Sequence, residues 1–242
     1  MNTPLDIVVV AEATSDARRA KGLVDRVIIE AVDWLKAQPD LLDSQRRWRG
    51  VDATCDYLDI HKVPGLARSM DLPPVRGGFE GKLPAEDHRV AVQAMWVLIA
   101  LGPPQILIWI RDTDGSTERR RGWLDACRRS GAAFRGSIGG FPHECMEAWL
   151  LAAWSPTSAD EHRELAKERA RLGFSPIEQP QRLSHKQSVK RSIKGVCKTL
   201  GVDEGGLQTV CVDQLRRRGA GCGLAAFLME IDRVLVSIIR SG

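Results

Sequence analysis

Ile106-Leu107-Ile108-Trp109-Ile110-Arg111-Asp112-Thr113-Asp114-Gly115 is an apolar run that ends on two aspartates one residue apart. An earlier run, Leu5-Asp6-Ile7-Val8-Val9-Val10-Ala11-Glu12, ends in glutamate. Strands buried on both faces of a parallel sheet read as near-continuous apolar runs, and open α/β sheets present their ligand sites at the carboxyl ends of the strands. The two runs therefore predict an α/β fold with Glu12, Asp112 and Asp114 delivered to one rim. Carboxylates at i and i+2 of an extended segment point the same way, so Asp112 and Asp114 suit shared coordination. A hard divalent cation taking oxygen ligands, Mg2+ or Mn2+, would best relieve the mutual repulsion of such acids.

The segments around these strands read as a strand–helix alternation. After Glu12, Ser15 and Asp16 are candidate caps for a helix whose apolar positions Ala20, Leu23, Val24, Val27, Ile28, Ala31 and Leu35 recur at helical spacing. Residues 38–84 give a mixed signal, with Pro64, Pro73, Pro74 and Gly77-Gly78 marking loops and a short strand expected within 51–60. A helix over 86–101, closed by Gly102-Pro103, leads into the strand that ends at Asp112. A basic helix over 117–130 and a strand over 133–138 follow. Pro142 is then expected in the first turn of a helix carrying Glu144, Glu147, Trp149, Leu150 and Leu151. Beyond Trp154 only helical patterns remain, over 158–172, 185–200, 203–217 and 222–239. The expected organisation is a mostly parallel α/β domain over 1–154 and an all-helical extension over 155–242.

Composition narrows the function. The chain has 242 residues, of which 43% are hydrophobic and 27% charged, an ordinary balance for a globular protein with a substantial core. A net charge of +4 is weakly favourable to polyanions. The six cysteines are scattered singly without zinc spacing, which predicts reduced thiols and a cytoplasmic location. No apolar run is long enough to span a membrane, and no P-loop pattern is present. With 5% aromatic residues the chain offers no stacking platform for single strands. Trp96, Trp109, Trp149 and Trp154 fall on apolar faces and are expected in the core.

A metal at the acidic rim could neutralise phosphate charge and activate a water for phosphodiester hydrolysis, with Glu12 as ligand or as general base. Ordinary structural readings stand beside this one. Asp-Thr-Asp-Gly is good turn chemistry, Asp16 suits a helix cap, and Glu144 suits a solvated carboxylate at a helix start. Lys186, Lys190, Lys194 and Lys198 share a helical face, either as solvated lysines or as a stripe along a phosphate backbone, and Lys190 is the one assigned to transition-state stabilisation. Arg119-Arg120-Arg121 and Arg216-Arg217-Arg218 read first as helix surfaces. His143 reads as a histidine at a helix start.

Glu12-Ala13-Thr14-Ser15-Asp16 after one apolar strand and Asp112-Thr113-Asp114 after a later one resemble the Toprim fold shared by topoisomerases, primases and overcoming-lysogenization-defect nucleases. Glu147-Ala148-Trp149-Leu150-Leu151 resembles the Glu-x-Trp-Leu-Leu segment of bacterial Toprim-like proteins discussed with phage-defence nucleases. The resemblance covers residues 5–154. It implies metal ligation by Asp112 and Asp114, acid/base or metal work for Glu12, a second-metal role for Asp16 and completion of the shell by Glu147. It also implies a nucleic-acid partner, DNA ahead of RNA, and an antiviral nuclease activity. The pattern departs at Ala13, where many Toprim motifs carry glycine; a turn needing positive φ would be strained by alanine there.

Two other classes compete. A non-catalytic Toprim-like subunit would act with a partner, such as an ATPase or another defence-system component, or as a homo-oligomer. The Asp-x-Asp-Gly-Ser order also resembles the first motif of haloacid-dehalogenase-like phosphatases, in which Asp112 would be the nucleophile. That motif normally opens its domain, whereas here a complete strand–helix unit precedes it.

Overall fold

The computed structural model describes residues 3–51, 55–77, 83–184 and 192–241. In chain order the strands and helices are β1 (Leu5–Ala11), α1 (Thr14–Ala31), α2 (Asp33–Ala37), β2 (Arg46–Trp48), β3 (Leu58–Asp59), α3 (Val63–Ser69), α4 (His88–Ala100), β4 (Ile106–Ile110), α5 (Glu118–Ser130) and β5 (Gly136–Gly140). They are followed by α6 (Glu147–Ala153), α7 (Ala159–Leu172), α8 (Ile193–Leu200), α9 (Gly206–Thr209), α10 (Val212–Arg218), α11 (Leu224–Ile231), a π-helical turn (Asp232–Val236) and α12 (Ser237–Ser241). The fold is α/β, and after β5 the described elements are helical.

The five strands form one sheet in the order β2-β1-β4-β5, with β3 pairing the far end of β1. β1 runs parallel to β2, β3 and β4. The β1–β4 register matches Ile7 with Ile106 and Val10 with Trp109. Every residue of β4 is buried, and so is every residue of β1 except Asp6. This is why neither strand alternates: both faces are covered. The strand expected within 51–60 is realised as the short β3, and β2 is an addition the apolar pattern did not reveal. Its residues Arg46, Arg47 and Trp48 are not apolar-periodic; Arg46 is held by Asp25 (Nε–Oδ1 2.7 Å) and Arg47 by Asp6 (Nε–Oδ1 3.1 Å).

The chain divides into two compact units. The first comprises Met1–Arg111, Ser116–Gly139 and Glu230–Gly242. The second comprises Asp112–Gly115 and Gly140–Met229.

In the first unit α1 lays a stripe of Ala17, Ala20, Leu23, Val24, Val27 and Ile28 against β1 and β4. α4 packs against α3 and α5. Gly122 lets α5 approach the start of α4: a Cβ there would strike the carbonyl oxygen of Glu86 and lie 2.8 Å from the His88 nitrogen. Trp109 of β4 is fully buried and stacks on Trp123 of α5, with ring centroids 5.5 Å apart. Offset stacking of this kind adds to the large apolar area each indole removes from water.

The second unit is built around α6, whose residues Ala148–Ala153 are all buried. Trp149 stacks on Phe227 at 5.1 Å and donates its indole N–H to the Cys222 carbonyl at 2.9 Å. α7 starts with a reciprocal capping box between Ser158 and Glu161 and stops at Gly173, whose φ of 76° closes the helix. The helix expected over 185–200 is described from Ile193, and 185–191 lie outside the described residues. The one expected over 203–217 is two short helices, because Val210 takes an extended conformation between them. No helix among the described residues is long and apolar enough to cross a membrane.

Two outcomes test this packing. Trp109→Ala is expected to cost about 3–5 kcal/mol in urea denaturation. The Trp109 indole N–H has no hydrogen-bond partner among the described residues, so Trp109→Phe should cost less than half as much. His88 is fully buried at the start of α4, and burial, then the Arg129 charge, push its imidazole below the ordinary value of 6.5 against a smaller pull from Asp125. The folded state therefore keeps His88 neutral where the unfolded chain protonates it. Its contribution is present above about pH 6.5 and is lost as the pH falls below that value. Melting curves between about pH 7.5 and 5.5 should show a smaller acid-induced drop for His88→Gln than for the wild type.

Candidate active site

Glu12 and Asp16 belong to the first unit. Glu12 follows the last residue of β1, and Arg111 follows the last residue of β4. The parallel register brings these two residues side by side, and an Arg111 guanidinium nitrogen is ion-paired with Glu12 Oε1. Arg111 Nε also donates to Asp87 Oδ2 at 2.7 Å. Asp87 sits before α4 with a left-handed φ of 62°, and Arg119 Nε approaches the same oxygen at 3.6 Å. Arg119 further donates to Glu86 Oε1 at 2.8 Å. Hydrogen bonds from Ser116 and Arg119 hold the Glu86 carboxyl below the usual range. The rim is thus a chain of alternating charges, Glu12–Arg111–Asp87–Arg119–Glu86. Three of its members, Arg111, Asp87 and Arg119, have side chains only 10–12% exposed. His61 Nε2 lies 3.9 Å from Glu12 Oε1.

Several expectations are corrected here. Arg119 is not a free helix surface; it is a tether between α5 and the turn before α4. Asp16 is not the cap of α1. Ala13 takes the cap position without a side-chain hydrogen bond, and Asp16, one turn in, accepts from Arg19 Nη1 at 3.1 Å. Ala13 has φ −142° and ψ 154°, ordinary extended backbone, so glycine is not required after Glu12.

Asp112, Asp114 and Glu147 belong to the second unit. The 112–115 segment turns through left-handed residues, Asp114 at φ 46° and Gly115 at φ 78°. Three hydrogen bonds fasten it to the segment after β5. Thr113 N–H donates to the Pro142 carbonyl (3.0 Å), Asp114 N–H to the Glu144 carbonyl (3.1 Å), and Glu144 N–H to Thr113 Oγ1 (2.8 Å). That segment is itself anchored, because His143 N–H donates to the Cys222 carbonyl at 3.0 Å. Asp112 is partly buried and Asp114 is exposed.

Asp112 and Glu147 both bear on one thiol. Burial first, then the Glu147 carboxylate accepting from the Cys145 S–H, then the Asp112 charge, push the Cys145 thiol far up. Cys145 stays protonated and is no nucleophile. Glu147 Oε1 lies 3.8 Å from Lys194 Nζ, so Lys194 is the described lysine that the structure brings to an expected ligand. Lys186 and Lys190 lie outside the described residues.

Glu144 is the residue the sequence reading misplaced. The helix begins at Glu147, not near Pro142; Glu144 precedes it with φ 60° and is only 7% exposed. Its Oε1 accepts from Ser184 Oγ at 3.2 Å and lies where a Cβ on Gly115 would meet it at 3.0 Å. The signal available was the Gly139-Gly140-Phe141-Pro142 stretch, which reads as a turn long enough to delay the helix. His143 likewise sits in this turn, before the helix.

Asp112, Asp114 and Glu147 are oxygen donors of the type a hard cation prefers. In the conformation described, no group of three or more His, Cys, Asp and Glu side chains among the described residues is gathered closely enough to hold a metal ion. No protein-family model, curated protein or solved structure matches the chain.

Gly115→Ala forces a side chain into a left-handed position and against Glu144. It is expected to cost about 1–2 kcal/mol from the backbone conformation alone. Thermal denaturation should show that loss, and the double variant with Glu144→Ala should regain part of it.

Proposed function

We propose that the protein is a divalent-metal-dependent hydrolase of phosphodiester bonds, with DNA ahead of RNA as substrate. The observation that carries this reading is the arrangement in the second unit: the Asp112–Gly115 turn is locked in place by three hydrogen bonds, with Asp112 and Glu147 acting on the same thiol. A turn fastened in this way pre-orders the backbone that carries Asp112 and Asp114, oxygen donors of the kind a hard cation takes. Asp112 and Asp114 hold the metal in this reading, and Glu147 completes its shell. Glu12 is paired with Arg111 in the first unit and has no part in this metal shell.

A cleavage assay on plasmid, linear DNA and RNA with Mg2+ or Mn2+ tests it. Asp112→Asn is expected to lower the rate by about two orders of magnitude or more. Wild-type activity that survives Asp112→Asn would overturn the assignment. The ion pair on Glu12 favours a second reading, a non-catalytic subunit that acts with a partner. Calorimetry showing no uptake of Mg2+ or Mn2+, together with a partner that copurifies, would establish that reading in place of the first.

A further inference from the structure

The first unit carries a polar cavity away from the Glu12–Arg111 rim. Gly136 N–H donates to the Gln105 carbonyl at 3.2 Å, so β5 begins beside the start of β4, whereas Arg111 follows the end of β4. At that opposite end a cavity of about 360 Å³ is lined by Arg135, Gly136 and Ser137 from β5 and its approach, and by Arg233, Val234, Ser237 and Ile238 from the C-terminal helical segment. The volume falls within the range of small-ligand sites.

Three features make this a built site. The helical segment over the strand is π-helical across Asp232–Val236, a rare geometry that recurs where a helix is adapted for function. Gly136 permits the close approach: a Cβ there would strike Val234 Cγ1 and lie 3.2 Å from Ile106 Cδ1. Arg135 makes no hydrogen bond or ion pair among the described residues, although most arginines of the chain are committed to carboxylates or carbonyls.

The chemistry of the lining names the ligand. Two guanidinium groups line the cavity with no carboxylate among the lining residues, Val234 with Ile238 adds a short apolar side, and the Ser237 hydroxyl donates to the Asp232 carbonyl at 3.4 Å. Arg233 is paired with Glu230 at 2.7 Å, one turn back on the exposed surface, and Ser137 also meets the Cys127 thiol. Arginine forks match the oxygens of phosphate. We propose that this cavity binds a phosphate group through Arg135 and Arg233, carried either by a small phosphomonoester or by a nucleic-acid backbone. It is separate from the metal chemistry proposed above and does not depend on it. An incoming phosphate competes with Glu230 for Arg233, so the acidic neighbour weakens binding.

Calorimetric titration of the full chain with inorganic phosphate, adenosine monophosphate and a short single-stranded oligonucleotide tests the proposal, without metal so that cleavage plays no part. Arg135→Gln and Arg233→Gln are expected to weaken binding about tenfold or more each. Glu230→Gln should tighten it severalfold, and all three variants should melt within a few degrees of the wild type. Uptake of the monophosphates identifies a small-molecule site, and uptake of the oligonucleotide alone identifies a backbone phosphate; either supports the proposal if it depends on Arg135. Failure of all three ligands to bind at millimolar concentration overturns it, as does binding that both arginine substitutions leave unchanged. A gain on Glu230→Gln that persists with Arg233→Gln would also show that Arg233 is not the contact.

Discussion

The parallel pairing of β1 with β4 is the constraint on which the first unit rests. Two strands buried on both faces exclude polar side chains along most of their length, so charge enters where they begin, as at Asp6, and where they stop. Both strands stop at the same edge because they run parallel and in register, and there the chain places Glu12 on one and Arg111 on the other. The charge that accumulates is neutralised locally. Arg111 reaches Glu12 and Asp87, Arg119 reaches Asp87 and Glu86, and the helices that carry or follow these residues are thereby tied to the sheet. Partly buried ion pairs of this kind contribute little net stability when formed, but each is costly to break singly because the remaining charge stays desolvated.

The sheet was legible because its strands obey the simplest rule in the sequence. Uninterrupted apolar runs between helical periodicities have few other interpretations, and β1, α1, α4, β4, α5 and α7 appear close to where the pattern places them. β2 carries little of that signal, and β5 carries it only in part, the strand expected over 133–138 being realised at Gly136–Gly140. β2 is Arg-Arg-Trp, held by side-chain pairs to Asp25 and Asp6, and β5 is Gly-Ser-Ile-Gly-Gly, with one large apolar residue. Such strands are recruited by their neighbours and by the helix that covers them, which a one-dimensional pattern does not contain. The π-helical turn is hidden for the same reason. Its residues keep the helical apolar spacing, and it is Gly136 on a distant strand that lets them come so close.

Site residues divide along a similar line. The carboxylates were visible as residue types at strand ends, and the turn character of Asp-Thr-Asp-Gly was visible too. Their partners were not. Arg111 stands in plain view between Ile110 and Asp112, yet only the register with β1 reveals that it faces Glu12. Arg119 looks like one member of a basic triplet until the turn before α4 is folded against it. Glu144 looks like a solvated acid until its positive φ and the Thr113 hydroxyl turn it inward. In each case the missing information is a long-range partner, and a charged residue has no meaning for burial until its counter-charge or donor is known.

These pairings also separate the roles available to the acids. A carboxylate can be balanced by a guanidinium or by a metal, and the two compete for the same oxygens. Glu12 has Arg111 on one oxygen, so service as a metal ligand would require exchanging that pair, leaving Arg111 to Asp87 alone. Service as an acid or base requires no such exchange, because a paired carboxylate still has lone pairs to offer a water. Asp112 and Glu147 stand differently. The group between them is a thiol held protonated by burial and by their own charges, and a protonated thiol is a weak donor that neutralises neither. Glu147 has the Lys194 ammonium nearby as well, 3.8 Å from Oε1. The Arg111 pair on Glu12 and the approach of Lys194 to Glu147 both show a carboxylate whose charge is met in part from within the protein.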